Sequence, residues 1–335
     1  MILVVQEYGA KVSKKSNCLC IKSASGEKEI STDQITELHL YQSCNISADV
    51  IQLCMKKEIW ILFFDGFGNP NGEIVPFSGG CAPVYKRNQL LLAHSREGVE
   101  LVKGFLTKKI KNRVRQMKKI LLNRRKEETL YYLSVRIKRM ENALQSLDEI
   151  QGSDMEQLRD VMQGIEGSAG RAYFECITYL LPEKMKFAQR MRNADDVYNC
   201  SLNYLYGILY AKIKHMMIQC RLDPYIGIMH ADTYNEPTFV FDFIEGYRII
   251  CEELAYEICC HLMITREDME KREDGRSYFS EKARKLLVSK FYEKLGETVF
   301  YKKNKVSQER KIYLELMEVA KQIGEMDYKG LVAIS

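Results

Sequence analysis

Two carboxylates lie three positions apart in the apolar segment 239–248, at Asp242 and Glu245. Residues at this spacing share one face of a helix. Burial of two carboxylates is costly unless a cation or a basic partner compensates their charge. Arg248, three positions beyond Glu245, is one such partner. The segment therefore predicts either a cation site or a buried ion pair on one helix face.

Two other segments carry metal-ligand types beside residues that shape the backbone. Residues 164–174 place Glu166 among glycines and alanines, which let another helix or a substrate backbone approach closely. Residues 222–230 contain a proline and a glycine and end at His230. Taken singly, Glu166 is typical of a helix surface and His230 of a satisfied core or capping residue. Together with the acidic pair they offer one imidazole and several carboxylate oxygens, which suits Mn²⁺ or Mg²⁺ better than a thiolate-rich zinc site.

The net charge of +5 is mild, but basic residues crowd one short region of the chain. They are Lys103, Lys108, Lys109, Lys111, Arg113, Arg115, Lys118, Lys119, Arg124, Arg125 and Lys126. A run of this kind predicts either contact with a polyanion such as nucleic acid or a solvated helix face. The charge pattern alone leaves both interpretations open.

The elements that must position these residues follow from hydrophobic periodicity. Short β-rich runs separated by turn residues predict strands at residues 2–5, 18–22, 37–40 and 59–64, with one helix at 47–56. Small residues at 78–83 predict a linker. Helical periodicity follows at 90–123, 127–151, 155–181, 196–219, 239–263, 281–295 and 307–325. We therefore expect an α+β fold, with a β-rich domain at residues 1–82 and a larger all-helical domain at residues 83–335.

Composition argues against several classes of protein. The longest apolar runs, such as residues 59–64, are far shorter than the roughly 18 residues that span a bilayer. Residues 1–8 lack the pattern of a secretory signal, so we expect a cytoplasmic protein without a membrane partner. The 11 cysteines are odd in number and form no pair of Cys-x-x-Cys units, which predicts reduced thiols rather than a zinc framework.

Four segments, in order and spacing, resemble the CRISPR-associated endonuclease and integrase family, the spacer-acquisition integrase called CRISPR-associated protein one. They are residues 166–174, 195–199, 222–230 and 241–248. The amino-terminal half is similar to the β domain of this family, notably at residues 46–48 and 59–72. The resemblance thus covers nearly the whole chain and implies two domains, of which the second is catalytic.

By position, the resemblance implies that Glu166, His230 and Glu245 bind Mg²⁺ or Mn²⁺. It further implies that Asp242 supports this site and that Asn199 lies close to it, which completes the set of predicted catalytic residues. Arg171 and Arg248 are implied as phosphate contacts. The basic run adds predicted DNA contacts at Lys108, Lys109, Lys111, Arg113 and Arg115.

The activity that the resemblance implies is transesterification, in which the 3′ hydroxyl of a short DNA fragment attacks a phosphodiester at the edge of a repeat. The implied partners are double-stranded DNA, a second copy of this chain bound through the β domain, and CRISPR-associated protein two. Two alternatives remain open from the residues alone. One is a stand-alone metal-dependent nuclease acting on branched or single-stranded DNA, and the other is a catalytically silent nucleic-acid-binding subunit.

Overall fold

The computed structural model describes residues 2–41, 43–65, 70–76, 83–192, 194–231, 233–271 and 277–326. The chain divides into two units, Met1–Gly80 and Cys81–Ser335. The sequence predicted a boundary after residue 82, within a linker at 78–83. Residues 78–82 of that linker lie outside the described residues.

The first unit is rich in strands. In chain order its elements are β1 (Ile2–Val5), β2 (Lys11–Lys15), β3 (Cys18–Ser23), β4 (Gly26–Ser31), β5 (Glu37–Tyr41), β6 (Asn45–Ile46), α1 (Ala48–Lys56), β7 (Trp60–Phe64) and β8 (Pro70–Ile74). The strands form two four-stranded sheets, in the orders β1-β5-β7-β8 and β4-β3-β2-β6. In the first sheet β1, β5 and β7 are parallel, and Leu38 lies opposite both Leu3 and Ile61. These buried side chains share a hydrophobic core with Val50 and Cys54 of α1.

The strands predicted at 2–5, 18–22, 37–40 and 59–64 and the helix predicted at 47–56 are confirmed within one or two residues. Periodicity did not predict β2, β4, β6 or β8. Val12 is the buried residue of β2, and the Gly26–Ser31 strand has no fully buried residue. Strands with so little buried surface carry no alternating apolar pattern for a sequence analysis to detect.

The second unit is mainly helical. Its elements are α2 (Pro83–Leu92), α3 (Arg96–Leu121), α4 (Glu127–Glu149), α5 (Met155–Leu180), α6 (Val197–Gln219), α7 (Thr238–Ile244), α8 (Arg248–Cys260), β9 (Met269–Lys271), β10 (Ser277–Phe279), α9 (Glu281–Gly296), β11 (Thr298–Tyr301), β12 (Asn304–Ser307) and α10 (Gln308–Glu325). The predicted fold class, a strand-rich region followed by helices, is confirmed. Two short hairpins, β9–β10 and β11–β12, accompany the helices and were not predicted.

Two predicted helices are interrupted in the structure. The helix expected at 90–123 breaks at residues 93–95, and Ser95 caps α3 by accepting a hydrogen bond from the Gly98 N–H at 3.1 Å. A Cβ at position 98 would lie 1.9 Å from the Leu92 carbonyl oxygen, so the break requires glycine there. The helix expected at 239–263 is divided by a 3₁₀ turn, Glu245–Tyr247, between α7 and α8.

Helix α3 lies among α4, α5, α7, α8 and the Glu245–Tyr247 turn. Its buried positions recur every three or four residues, at Val102, Leu106, Lys109, Arg113 and Met117. Two cations therefore share the face that points into the protein. Within the described residues, no helix combines the length and the hydropathy needed to cross a membrane.

Candidate metal centre

The ammonium group of Lys109 contacts two carboxylates that come from different elements. Its Nζ donates a hydrogen bond to Glu166 Oε1 at 2.5 Å and forms an ion pair with Glu245 Oε2. Glu166 lies within α5, whereas Glu245 begins the 3₁₀ turn after α7. Lys109 and Glu245 are only 5% and 4% exposed. Two carboxylates far apart in sequence thus converge on one cation position.

Glu245 is held in its ionised form. Arg248 Nε donates to Glu245 Oε1 at 2.8 Å, while Lys109 contacts Oε2. Burial disfavours the charged carboxylate, but Arg248, Lys109 and the nearby His230 outweigh burial and hold the pKa of Glu245 at about 2. Oε2 accepts no hydrogen bond of regular geometry from any described residue. A buried, ionised carboxylate oxygen of this kind is suited to bind a cation.

His230 is oriented by Asp242. The imidazole Nδ1 and Asp242 Oδ1 are 2.7 Å apart, and the same carboxylate accepts the backbone N–H groups of Ile228, Met229 and His230. When Nδ1 carries the proton, the neutral ring presents a lone pair at Nε2. No hydrogen bond within the described residues uses Nε2. Metal-binding histidines commonly donate their other ring N–H to a carboxylate in this way.

The structure gathers these groups only in part. Glu166, His230 and Glu245 do not all bring their ligand atoms within 4.8 Å of one another, although Glu166 Oε1 and Glu245 Oε2 both contact Lys109 Nζ. Among the described residues, His94, Asp154 and Glu156 do meet that spacing. Asp154 and Glu156 lie at the start of α5, whereas His94 lies in the break between α2 and α3. The group was not predicted from the sequence, and two of its three members are exposed.

A second ion pair lies beside the first. Arg113 Nε and Nη2 donate to the two oxygens of Glu252 at 3.0 and 2.5 Å, and the Tyr206 hydroxyl donates to Oε1 at 2.9 Å. Arg113 Nη1 is also 3.9 Å from Glu166 Oε1. Glu252 was not among the residues predicted from the sequence, although it lies two helical turns beyond Glu245 in an apolar segment. That spacing, which repeats the face of Glu245, was the available signal.

The five predicted DNA contacts of the basic run differ in their burial and partners. Lys109 and Arg113 are buried in ion pairs because the helical period of α3 turns them inward. Lys108 bonds Glu315, and its Nζ lies 3.7 Å from the centroid of the Tyr247 ring. Burial lowers the pKa of Lys108 despite the opposing effect of Glu315. Lys111 and Arg115 are exposed.

The two arginines implied as phosphate contacts differ in their surroundings. Arg171 is exposed and has no ion pair with any described residue. It lines a cavity of about 390 Å³ together with Phe174, Phe187 and Gln189. Arg248, by contrast, bonds Glu245 and lies 4.8 Å from the centroid of the Tyr206 ring. Arg171 can therefore reach a ligand directly, whereas Arg248 already has a partner in the site.

Asn199 is fully engaged in local structure. Its Oδ1 accepts from Arg190 Nη1 and from the Met191 N–H, both at 3.1 Å, and its Nδ2 donates to the Gln189 carbonyl at 3.0 Å and to Asp196 Oδ2 at 2.8 Å. These bonds fix segment 189–191 against the start of α6. Asn199 makes no hydrogen bond to Glu166, His230 or Glu245 in the described part of the chain.

The family model described as CRISPR associated protein Cas1 matches residues 3–293. The curated relatives include a CRISPR-associated endonuclease Cas1 from Archaeoglobus fulgidus, which is 26% identical over 344 residues. The alignment covers 99% of this chain and 99% of the relative. The resemblance drawn from the four sequence segments is confirmed by this match.

Solved structures share the fold at low sequence identity. A CAS1 protein from Thermotoga maritima superposes with a TM-score of 0.79 at 18% identity, covering 98% of each chain. A casposase bound to integration product gives a TM-score of 0.77 at 17% identity, covering 98% of this chain and 92% of the other. A chain of a Cas6-RT-Cas1–Cas2 complex gives 0.75 at 20% identity, covering 98% and 35%. With the family match over most of its length, the chain belongs to the Cas1 family of CRISPR-associated proteins.

Proposed function

We propose that this chain is a divalent-metal-dependent DNA endonuclease and integrase of CRISPR adaptation, which inserts short DNA fragments at repeats as new spacers. The observation that carries the proposal is the convergence of Glu166 and Glu245 on one cation position. Membership of the Cas1 family supplies the class of reaction.

Glu166, His230 and Glu245 would hold Mg²⁺ or Mn²⁺. The donor set fits, because two carboxylate oxygens already contact one cation and His230 Nε2 has no partner among the described residues. When bound, a divalent ion would orient the attacking 3′ hydroxyl and would offset the charge that develops on the phosphate. These three residues would therefore serve as ligands, and none of them needs to act as a nucleophile.

The reaction exchanges one phosphodiester for another. The 3′ oxygen of the fragment bonds to a phosphorus of the repeat strand, and the bond from that phosphorus to its own 3′ oxygen breaks. The attacking hydroxyl loses its proton, and the released 3′ oxygen takes one up. Asp242 would keep His230 in the tautomer that binds through Nε2, and Arg248 would keep Glu245 ionised.

DNA would approach through cations that the fold leaves exposed. Lys111 and Arg115 lie on the outer face of α3, opposite the face that carries Lys109. Arg171 lies five residues beyond Glu166 on α5 and lines the 390 Å³ cavity. Such side chains supply salt-dependent affinity for phosphates without reading sequence. Arg171 would place a phosphate near the metal ligands.

Protein partners follow from family membership. We propose a homodimer formed through the β-rich unit, and CRISPR-associated protein two as the heteromeric partner that spaces two active sites. A solved Cas6-RT-Cas1–Cas2 complex contains a chain of this fold, which supports the second partner. A casposase of the same fold was solved with an integration product, which supports strand transfer as the reaction.

The experiment that tests the function compares wild-type protein with Glu166→Ala. Joining of a labelled short duplex with 3′ hydroxyl ends to a repeat-bearing plasmid is measured with Mn²⁺ and the partner, alongside DNA binding. We expect the variant to bind DNA but not to join it. If wild-type protein cuts DNA without joining it, a stand-alone nuclease is the better assignment. If both proteins bind and neither reacts, the chain is a silent binding subunit.

A further inference from the structure

We propose that Lys109 is a built-in cation of the metal site, which a divalent ion must displace in order to bind. The Lys109 ammonium contacts Glu166 Oε1 and Glu245 Oε2, the oxygens of the two proposed carboxylate ligands. Lys109 therefore sets the metal affinity of the site. This inference rests on the proposed function only in assigning Glu166 and Glu245 to a divalent ion.

The geometry leaves room for one cation between the two oxygens. Nζ is at hydrogen-bonding distance from Glu166 Oε1, at 2.5 Å, and in direct contact with Glu245 Oε2. Mg²⁺ requires its oxygen ligands at about 2.0–2.1 Å. An ion bound to both oxygens would coincide with the position of Nζ. Two cations that close would also repel each other strongly in a site this buried.

The surrounding charges explain why a lysine is needed there without metal. Two carboxylates this close repel each other, and burial makes an uncompensated charge costly. The neighbouring arginines already have partners, because Arg113 forms a two-oxygen pair with Glu252 and Arg248 bonds the other oxygen of Glu245. Lys109 is thus the cation that holds Glu166 and Glu245 together.

Lysine also suits displacement better than arginine would. Its ammonium group is a compact charge on a flexible four-carbon stem, so a rotation of the side chain can move it away while the helix stays in place. Arg113, one turn later on α3, is fixed by two parallel hydrogen bonds and cannot leave so easily. One inward cation of α3 is therefore exchangeable and the other is structural.

Calorimetric titration with Mn²⁺ alone tests the proposal on wild type, Lys109→Met and the control Lys118→Met, an exposed lysine of the same helix. Removal of the competing charge should tighten binding by Lys109→Met at least about tenfold, whereas Lys118→Met should match wild type. In EDTA the Tm of Lys109→Met should lie below that of wild type. The same Mn²⁺ concentration should raise the Tm of Lys109→Met by more than it raises the Tm of wild type, because tighter binding stabilises the folded state more.

Equal or weaker Mn²⁺ binding by Lys109→Met would overturn this proposal alone and leave the metal-dependent function standing. Binding by neither protein would overturn both. A second experiment uses wild-type protein only and therefore tests the proposal even if Lys109→Met does not fold. Reductive methylation followed by site-resolved mass spectrometry should show Lys109 protected in EDTA and labelled severalfold more with saturating Mg²⁺. Unchanged protection of Lys109 while Mg²⁺ binds would contradict displacement.

Discussion

The carboxylate of Asp242 binds the imidazole of His230 at 2.7 Å, between Oδ1 and Nδ1, and it also accepts three successive backbone N–H groups of residues 228–230. One buried side chain therefore fixes both the ring and the loop that carries it. Helix α7 supplies Asp242, which orients His230, and it leads directly into Glu245. The same short helix therefore positions two of the proposed metal ligands, His230 and Glu245.

We predict that Asp242→Ala weakens Mn²⁺ binding about 10- to 100-fold, the usual effect of losing the partner behind a metal-binding histidine. The imidazole would lose its orienting acceptor, and the loop 228–230 would lose three backbone hydrogen bonds. Calorimetric titration measures the change, with the exposed Asp160→Ala as the matched control. Unaltered Mn²⁺ affinity in Asp242→Ala would show that His230 does not depend on this contact.

The Arg113–Glu252 pair predicts a large loss of stability when one partner is removed. Both side chains are buried, so Arg113→Met leaves the Glu252 charge without its main partner at a cost of about 3–5 kcal/mol. The control is Lys118→Met, on the same helix, which breaks a surface pair with Glu141 and should cost less than about 1 kcal/mol. Urea denaturation measures both. Similar values for the two variants would contradict the assigned structural role.

Stability should fall in acid through Glu252. Burial raises the pKa of this carboxyl, but Arg113, Lys109 and the Tyr206 hydrogen bond outweigh it, so the pKa lies below its ordinary value of 4.5. A folded-state pKa below the unfolded one contributes stability that is present above pH 4.5 and is lost as the pH falls through the folded value. Urea denaturation at a series of pH values should therefore give a shallower acid slope for Glu252→Gln than for wild type. Identical acid slopes for wild type and Glu252→Gln would contradict this prediction.

The exposed cations of α3 predict a defined salt dependence. Neutralising Lys111 and Arg115 together should weaken binding to duplex DNA and flatten the slope of log K against log salt by about 2, since each phosphate contact contributes roughly 0.9. Fluorescence anisotropy over a range of salt concentrations measures this slope. The control double variant, Lys282→Ala with Lys285→Ala, alters two exposed lysines on α9. An equal loss in both double variants would indicate a general charge effect only.

Sequence periodicity predicted the long helices well because patterns such as 127–151 and 155–181 extend over many turns. It missed the break between α2 and α3, where the decisive contact is the approach of Gly98 to the Leu92 carbonyl. Apolar positions continue on both sides of that break and hide it. The β9–β10 and β11–β12 hairpins are only three or four residues per strand, too short to produce an alternating signal.

The candidate site was harder to predict from the sequence than the long helices were. The inward turn of Lys109 and Arg113 follows from the helical period, which places both on the face of Val102 and Leu106. Their partners Glu166, Glu245 and Glu252 lie far away in sequence, so no local sequence pattern predicts the ion pairs. The grouping of Glu166, His230 and Glu245 came from resemblance to a family, and their roles as metal ligands remain predictions.

Strand transfer by wild type and His230→Ala, with Mn²⁺ and the partner protein, tests the central claim most directly. A labelled short duplex with 3′ hydroxyl ends is offered to a supercoiled plasmid that carries a repeat. The predicted result is joined product with wild type and none with His230→Ala, although both bind the duplex with similar affinity. Joining by His230→Ala at the wild-type rate would contradict the assignment of this residue, with Glu166 and Glu245, to the metal centre.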